Sequence, residues 1–279
     1  MKCLNILTEL WCAPWLIMPA VHRKLCDIVE AHINGDAHRT NGIAGVFEDK
    51  EPESYAYQAI GSVAVLPING VLGKHVGALA KSSGATDIAD IEDALDKAMT
   101  SLEIKGILLD VNSPGGTTIG IPELARKISM ASMEKPVVAY TDGLMASAAY
   151  WLASGADAIL ASQSAQVGSI GVYMAWMDDS RALEMQGYRA ELIKRGKFKG
   201  MGVSGTSLSD DARALLQNSV DQVYGWFAGH VKLFREDILQ EAMEGQTFFA
   251  ADAKEQDLID AIGAREDAIR QINEMIEEK

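Results

Sequence analysis

Gly106-Ile107-Leu108-Leu109-Asp110-Val111 runs directly into Asn112-Ser113-Pro114-Gly115-Gly116. The first six residues are nearly all apolar, with one interruption at Asp110, as expected of a parallel strand covered on both faces. The next five are turn-formers at the carboxyl end of that strand, where open α/β sheets bind ligands. Working outward, the same alternation repeats. Upstream, residues 62–68 read as a strand ending in the turn pair Asn69-Gly70. Residues 74–86 are rich in Gly and Ser and are expected to form a mobile surface loop. Thr86 or Asp87 can then cap a helix with Ile88, Ile91, Leu95 and Met99 on one face. Downstream, the pattern predicts a helix over 122–133, a strand over 136–140, a helix over 147–154 and a strand over 158–161. A helix near 180–186, a strand over 190–193 and a long helix over 210–234 follow. Repeated strand–helix units predict an α/β fold with mainly parallel pairing and right-handed crossovers.

The ends differ in character. The apolar run 10–20 is broken by Pro14 and Pro19 and follows Glu9. It is shorter than the ~20 residues that a bilayer requires, and it lacks the basic start and cleavage site of a signal peptide. Pro19 can open a helix along Val21, Leu25, Ile28, Val29 and Ile33, which Asn34-Gly35 stops. The polar stretch 36–57 reads as a linker. The expected organisation is therefore a helical lead-in and linker over 1–57, a main domain over 58–263, and an amphipathic C-terminal helix over 264–279 with Ile269, Ile272 and Ile276 on one face. The apolar stretch 137–161 contains Asp142 and Asp157 and reads as buried strand and helix, so a soluble protein with no membrane span is expected.

Charge narrows the function. The 25 Lys+Arg against 39 Asp+Glu leave −14. That argues against nucleic acid as a partner, because a phosphate backbone needs a basic face, and against a basic surface helix on an anionic membrane. The cysteines are Cys3, Cys12 and Cys26, with no Cys-x-x-Cys pair. They fit free thiols in a reducing, cytoplasmic compartment rather than a disulfide framework or a zinc site.

None of His22, His32, His38, His75 and His230 falls in a loop after a strand. There is no H-E-x-x-H, no Gly-x-Ser-x-Gly and no Walker or Rossmann glycine pattern. Serine chemistry would thus need a base other than histidine, and lysine is the known substitute. Three elements could supply it. Asp142 to Tyr150 follows a strand and opens a helix, placing Ser147 in the positive field of the first turn among Ala146, Ala148 and Ala149. By itself this is equally an ordinary helix cap. Gly115-Gly116 can present unobstructed N–H groups to a developing oxyanion, or simply make a Pro-Gly turn. Lys194-Arg195-Gly196-Lys197-Phe198-Lys199 concentrates four cations in an acidic chain. Neighbouring positive charge and burial both favour a neutral lysine, while a solvated basic patch is the plainer reading.

Taken in order, these segments resemble the signal peptide peptidase A family of serine proteases, including its bacteriophage branch of head-maturation (prohead) proteases. The resemblance runs over about 62–263. It is carried by Val63 to Gly70, Asn112 to Gly116, Ala146 to Tyr150 with Ala153-Ser154-Gly155-Ala156-Asp157, Val167 to Val172, and Gly245 to Asp260. Ala148-Ala149 stands where the family often has Gly-Gly, and Asp257 where the closing helix often has Gly. The resemblance implies a Clp protease/crotonase-like spiral and a Ser–Lys dyad. It maps Ser147 to the nucleophile, Lys199 to the base with Lys197 competing, Ser169 to a hydroxyl that holds the lysine, and Gly115 or Gly116 to the oxyanion donor. It requires no metal and no cofactor.

The expected function is endopeptidase action on peptide or protein substrates through an acyl-enzyme, in phage capsid maturation or scaffold processing. The setting would be the host cytoplasm or a virion precursor. A signal-peptide-degrading peptidase, a catalytically silent capsid-assembly module and a crotonase-type acyl-CoA enzyme are the alternatives. The long helix and the apolar tail suggest a homo-oligomer.

Overall fold

The computed structural model describes residues 14–33, 57–76, 81 and 84–278. Residues 36–56 of the expected linker over 36–57, Cys3, Cys12 and residues 77–80, 82 and 83 of the Gly/Ser-rich loop lie outside the described residues. In chain order the elements are β1 (Trp15–Ile17), α1 (Pro19–Ile33), β2 (Gln58–Ile60), β3 (Val63–Asn69), β4 (Leu72–Gly73), β5 (Thr86–Asp87) and α2 (Ile88–Thr100). Next come β6 (Gly106–Asn112), β7 (Gly115–Thr117), α3 (Ile121–Glu134), β8 (Val137–Thr141), β9 (Leu144–Ala146) and α4 (Ala148–Ser154). The chain closes with β10 (Ala158–Ala161), β11 (Gln166–Gly168), α5 (Ser180–Met185), α6 (Asp210–Phe234), β12 (Thr247–Phe249), α7 (Ala250–Glu255), β13 (Ala261–Ile262) and α8 (Arg265–Glu278).

The largest sheet has the order β13-β10-β8-β6-β3-β2. Its neighbours are parallel except for the antiparallel edge pair β2–β3. Period-two alternation explains the continuous apolar runs. Ala64, Leu66, Ile107, Leu109, Val137, Ala139 and Ile159 face α2, α3 and α4, while Val63, Val65, Leu108, Val138, Tyr140 and Leu160 face the other way. The second face is covered by α8, whose Ala268 and Ile272 are fully buried there. A methyl on Gly106 would run into the Ile272 side chain, so this glycine is what lets the helix approach the sheet. Of the apolar stripe foreseen on the tail, Ile272 is fully buried and Ile269 and Ile276 are partly buried against this sheet.

Each of β3, β6, β8 and β10 bends after its last residue into a short strand of a second layer, namely β4, β7, β9 and β11. These form one sheet of order β1-β7-β4-β5 and another of order β12-β11-β9. The strand-to-strand corners gather at the carboxyl ends of the main sheet, and a helix returns the chain from most of them. Asp87, rather than Thr86, caps α2: its carboxylate accepts from Ala89 N–H at 3.0 Å. Trp151 of α4 stacks on Phe227 of α6, centroids 4.7 Å apart, which clamps the long helix to the short one.

Three expectations need correction. The apolar run at the start contains a strand, Trp15–Ile17, as well as the foreseen helix. The Gly115-Gly116 turn is itself a strand, paired on both sides. Residues 190–193 form no strand: they have no edge to pair with, and Ile193 is 97% exposed.

Candidate active site

One residue in an unfavourable conformation anchors the site. Ser147 has φ 55 and ψ −118, a region that a residue bearing Cβ seldom enters. The sequence places it in the first turn of a helix; in fact β9 runs into it and the helix starts one residue later, at Ala148. The surroundings force the corner. Ser147 N–H donates to Gly168 O at 2.8 Å, Ser147 O accepts from Trp151 N–H at 2.9 Å, and Ala146 N–H donates to Ser113 O at 3.1 Å. A sharp strand-to-helix corner is how a nucleophilic serine is presented in α/β-hydrolases. Here the residues two before and two after are Met145 and Ala149, and bonds to the neighbouring strands hold the turn where glycines otherwise would relax it. Ser147 makes no side-chain cap bond.

Gly115 lies against this corner. Its φ is +99, and a methyl there would stand 3.0 Å from Ser147 Cβ and 3.1 Å from Ala146 O while colliding with the Leu16 carbonyl. A methyl on Gly116 would collide with the Leu72 backbone. Both glycines are thus demanded by close backbone approach. The Ser113 hydroxyl ties the loop down: it donates to Gly70 O at 2.6 Å and accepts from Gly115 N–H at 3.2 Å. Ala148, one residue past the serine, is the first of its helix, so its N–H has no partner within the helix. A peptide carbonyl attacked by Ser147 would develop its charge beside this N–H and the Gly115 backbone. Sequence reading named the glycines but not Ala148 N–H or Ser113; the rule that the residue after the nucleophile donates would have found the first.

Ser169 is brought into the same place. It directly follows Gly168, the residue that holds Ser147 N–H, and it has φ 54. Its own N–H donates to Gln246 O at 2.7 Å, and the residue is buried. The closing segment braces this arrangement. Tyr150 OH donates to Leu258 O at 2.9 Å, and the Arg235 guanidinium pairs with both Asp260 oxygens at 2.7 Å. Burial pushes the Tyr150 phenol well above its ordinary range. Asp257 takes φ 58, the left-handed position that the family's glycine would fill.

Lys199 is not brought in. It lies on an excursion, 174–209, whose only regular element is α5. Lys199 is exposed, its N–H donates to Gly196 O at 3.2 Å, and its ammonium pairs with no described residue. Lys197 pairs instead with Asp211 at 2.7 Å, both side chains over 60% exposed. The excursion is tied chiefly to itself: Asp179 accepts from Gly205 N–H at 2.7 Å and from the Ser204 hydroxyl, bonds that hold its carboxyl below the usual range. The burial expected around the basic cluster is therefore absent in this single chain.

None of the described helices is long and apolar enough to cross a membrane. A match to peptidase family S49 covers residues 130–278, beginning after Gly115 and Gly116. Capsid assembly protease C of Escherichia phage lambda is 35% identical over 77% of this chain and 48% of its own length. Head-tail preconnector protein GP5 of Enterobacteria phage P21 is 33% identical over 64% and 36%. The chloroplastic serine protease SPPA of Arabidopsis thaliana is 28% identical over 74% and 31%. The chain thus spans less than half the length of each of these relatives. Among solved structures, an enoyl-CoA hydratase/isomerase (crotonase) from Legionella pneumophila overlays on 82% of this chain and 76% of its own, with a TM-score of 0.47 and 15% identity. With the family match spanning more than half of its length, the chain belongs to peptidase family S49.

Proposed function

We propose that the chain is a serine endopeptidase working through a Ser–Lys dyad. Ser147 Oγ attacks the peptide carbonyl as its proton passes to neutral Lys199 Nζ. The oxyanion is met by the Ala148 N–H, joined by the Gly115 N–H as it turns from its 3.2 Å bond to the Ser113 hydroxyl; the C–N bond breaks as the lysine protonates the leaving amine, and water then releases the acyl group. The observation that carries this reading is the strained Ser147 corner seated against Gly115. Ser169, directly after the Gly168 that holds Ser147 N–H, is the hydroxyl that orients the incoming lysine in this reading.

In this reading the lysine arrives from a second copy. The excursion that bears Lys199 also exposes Met177, Met185, Tyr188 and Ile193, an apolar set that water alone would not favour. Likeness to the lambda capsid assembly protease supports substrates among phage head or scaffold proteins, met in the host cytoplasm or a virion precursor. Chemistry at Ser147 requires no metal or cofactor in this scheme.

Hydrolysis of a casein-like peptide should be lost in Ser147→Ala and Lys199→Ala and retained in Lys197→Ala. Mixing the two inactive variants should restore part of the activity, because one functional site can form from one serine and one lysine. Full activity of either single variant would overturn the dyad. Failure of the mixture, with each variant shown to assemble, would confine the lysine to its own chain. Incubation with co-expressed phage structural proteins, read by mass spectrometry, tests the substrate; cleavage of leader peptides alone would favour the signal-peptide-degrading alternative.

A further inference from the structure

Ser147 is only 1% exposed, so no peptide carbonyl reaches its hydroxyl in this arrangement. The chain's own Trp15–Ile17 lies over the adjoining backbone. This strand runs antiparallel to Gly115–Thr117, with Leu16 opposite Gly116. Along its other side Trp15 N–H donates to Tyr173 O at 2.9 Å, and Tyr173 N–H donates to Trp15 O at 3.2 Å. Met18 N–H reaches Pro114 O at 3.1 Å, and the Thr118 hydroxyl reaches Pro14 O at 2.9 Å. Every one of these bonds grips main chain, so any extended peptide could make them. The Leu16 carbonyl abuts the same face of Gly115 that Ser147 Cβ flanks.

The two walls of this slot are the glycine strand, whose Gly115 lies against Ser147, and the backbone at Tyr173, four residues beyond Ser169. The side chains alternate across it. Leu16 enters the main core, while Trp15 and Ile17 face a separate cluster with Cys26, Val21, Leu25 and Tyr173. The clamp on the outer side is aromatic: the Tyr173 hydroxyl and His22 Nδ1 are 2.8 Å apart, and the Trp15 and His22 rings are 5.0 Å apart.

We propose that residues 14–18 occupy the place of the substrate's extended segment, so that the chain is held closed by a strand of its own and opens when a peptide replaces it. The inference rests on the reading of Ser147 as nucleophile. The peptide class follows from the occupant: extended, uncharged, with an aliphatic side chain where Leu16 sits and bulky apolar ones on either side.

A reversible lock tests this. Pro14 and Thr118 continue the register of the Trp15–Thr117 pair, a spacing of roughly 5.5 Å between Cα atoms that a disulfide spans. The full-length chain carries Pro14→Cys and Thr118→Cys, with Cys3, Cys12 and Cys26 changed to Ser. Turnover of a fluorogenic Leu-containing peptide is compared in oxidised and reduced forms, alongside Leu16→Ala in the parent. The oxidised lock should retain less than a tenth of the reduced form's activity, and Leu16→Ala, which loosens the strand, should exceed the parent severalfold. Should Leu16→Ala fail to fold, the lock decides alone. Equal, Ser147-dependent activity in oxidised and reduced forms would overturn this inference and leave the protease reading standing. Turnover that survives Ser147→Ala, or none in any form, would overturn both.

Discussion

Replacing Ser147 by glycine should remove activity and at the same time make the protein more stable. The residue sits at φ 55 and ψ −118, and a conformation of this kind costs a residue with Cβ about 1–3 kcal/mol. Glycine removes that cost but adds flexibility to the unfolded chain, which offsets about 0.5–1 kcal/mol. The hydroxyl makes no cap bond, so little else is lost with it. Ser147→Ala is the proper reference, because it deletes the hydroxyl and keeps the strain. Ser147→Gly should therefore exceed Ser147→Ala by about 1 kcal/mol, a few degrees at most in melting temperature for a chain of this size. Urea titration of both variants, with a common m-value, measures the difference. A Ser147→Gly protein that melts at or below Ser147→Ala would refute the claim that the corner is strained by its surroundings rather than by the serine.

Gly115→Ala should lower peptide turnover by at least about 100-fold, the usual loss when an oxyanion donor is displaced, and near-ultraviolet dichroism would check that the fold survives. Ile272→Ala should cost about 2–5 kcal/mol in chemical denaturation, since its side chain is fully buried between the tail helix and the sheet; a loss below 1 kcal/mol would mean that the helix is only loosely docked. Burial holds the His230 imidazole down to about 4, against about 6.5 in the unfolded chain. The unfolded state thus takes up the proton first, and stability should fall as pH drops from about 6.5 towards 4, by about 1–2 kcal/mol because the ring is only partly shielded. The same titration in His230→Gln should lack that component.

What the sequence disclosed follows from what is local. Val63 to Ile68, Gly106 to Val111 and Val137 to Tyr140 are apolar at every step because both faces of their sheet are covered, and that is visible without a partner. The Asp257 position came from the family resemblance, which sets a glycine there, and its left-handed φ of 58 is what that glycine would accommodate. Trp15–Ile17 was not legible. Its partner lies a hundred residues away at Gly115–Thr117, and prolines on either side make its surroundings look like a lead-in. The glycine strand was hidden too, because it pairs through backbone with no side-chain alternation to announce it. Residues 190–193 erred in the opposite direction: Leu192-Ile193 ends in a strand former but has no edge on which to become a strand. Among the site residues, Ser147, Gly115 and Ser169 are brought close because β7, β9 and β11 continue neighbouring strands of the main sheet. Lys199 follows the last of those strands on a segment that leaves it, and spacing along the chain carries no sign of where such a segment docks.

Gly168 is where these two fates separate. Its carbonyl fixes Ser147, and the next residue begins the path to the excursion, while Ser169 N–H stays pinned to Gln246. The cradle of Ser147 is therefore closed by strands on either side of 174–209 and owes nothing to that stretch. A nick within the excursion, or its replacement by another sequence, should leave a folded body that keeps the Ser147 corner and, under the proposed dyad, lacks its base. In the proposed dyad the proton acceptor rides on this separate stretch, so a change in its length or direction would leave the corner that carries Ser147 unaltered.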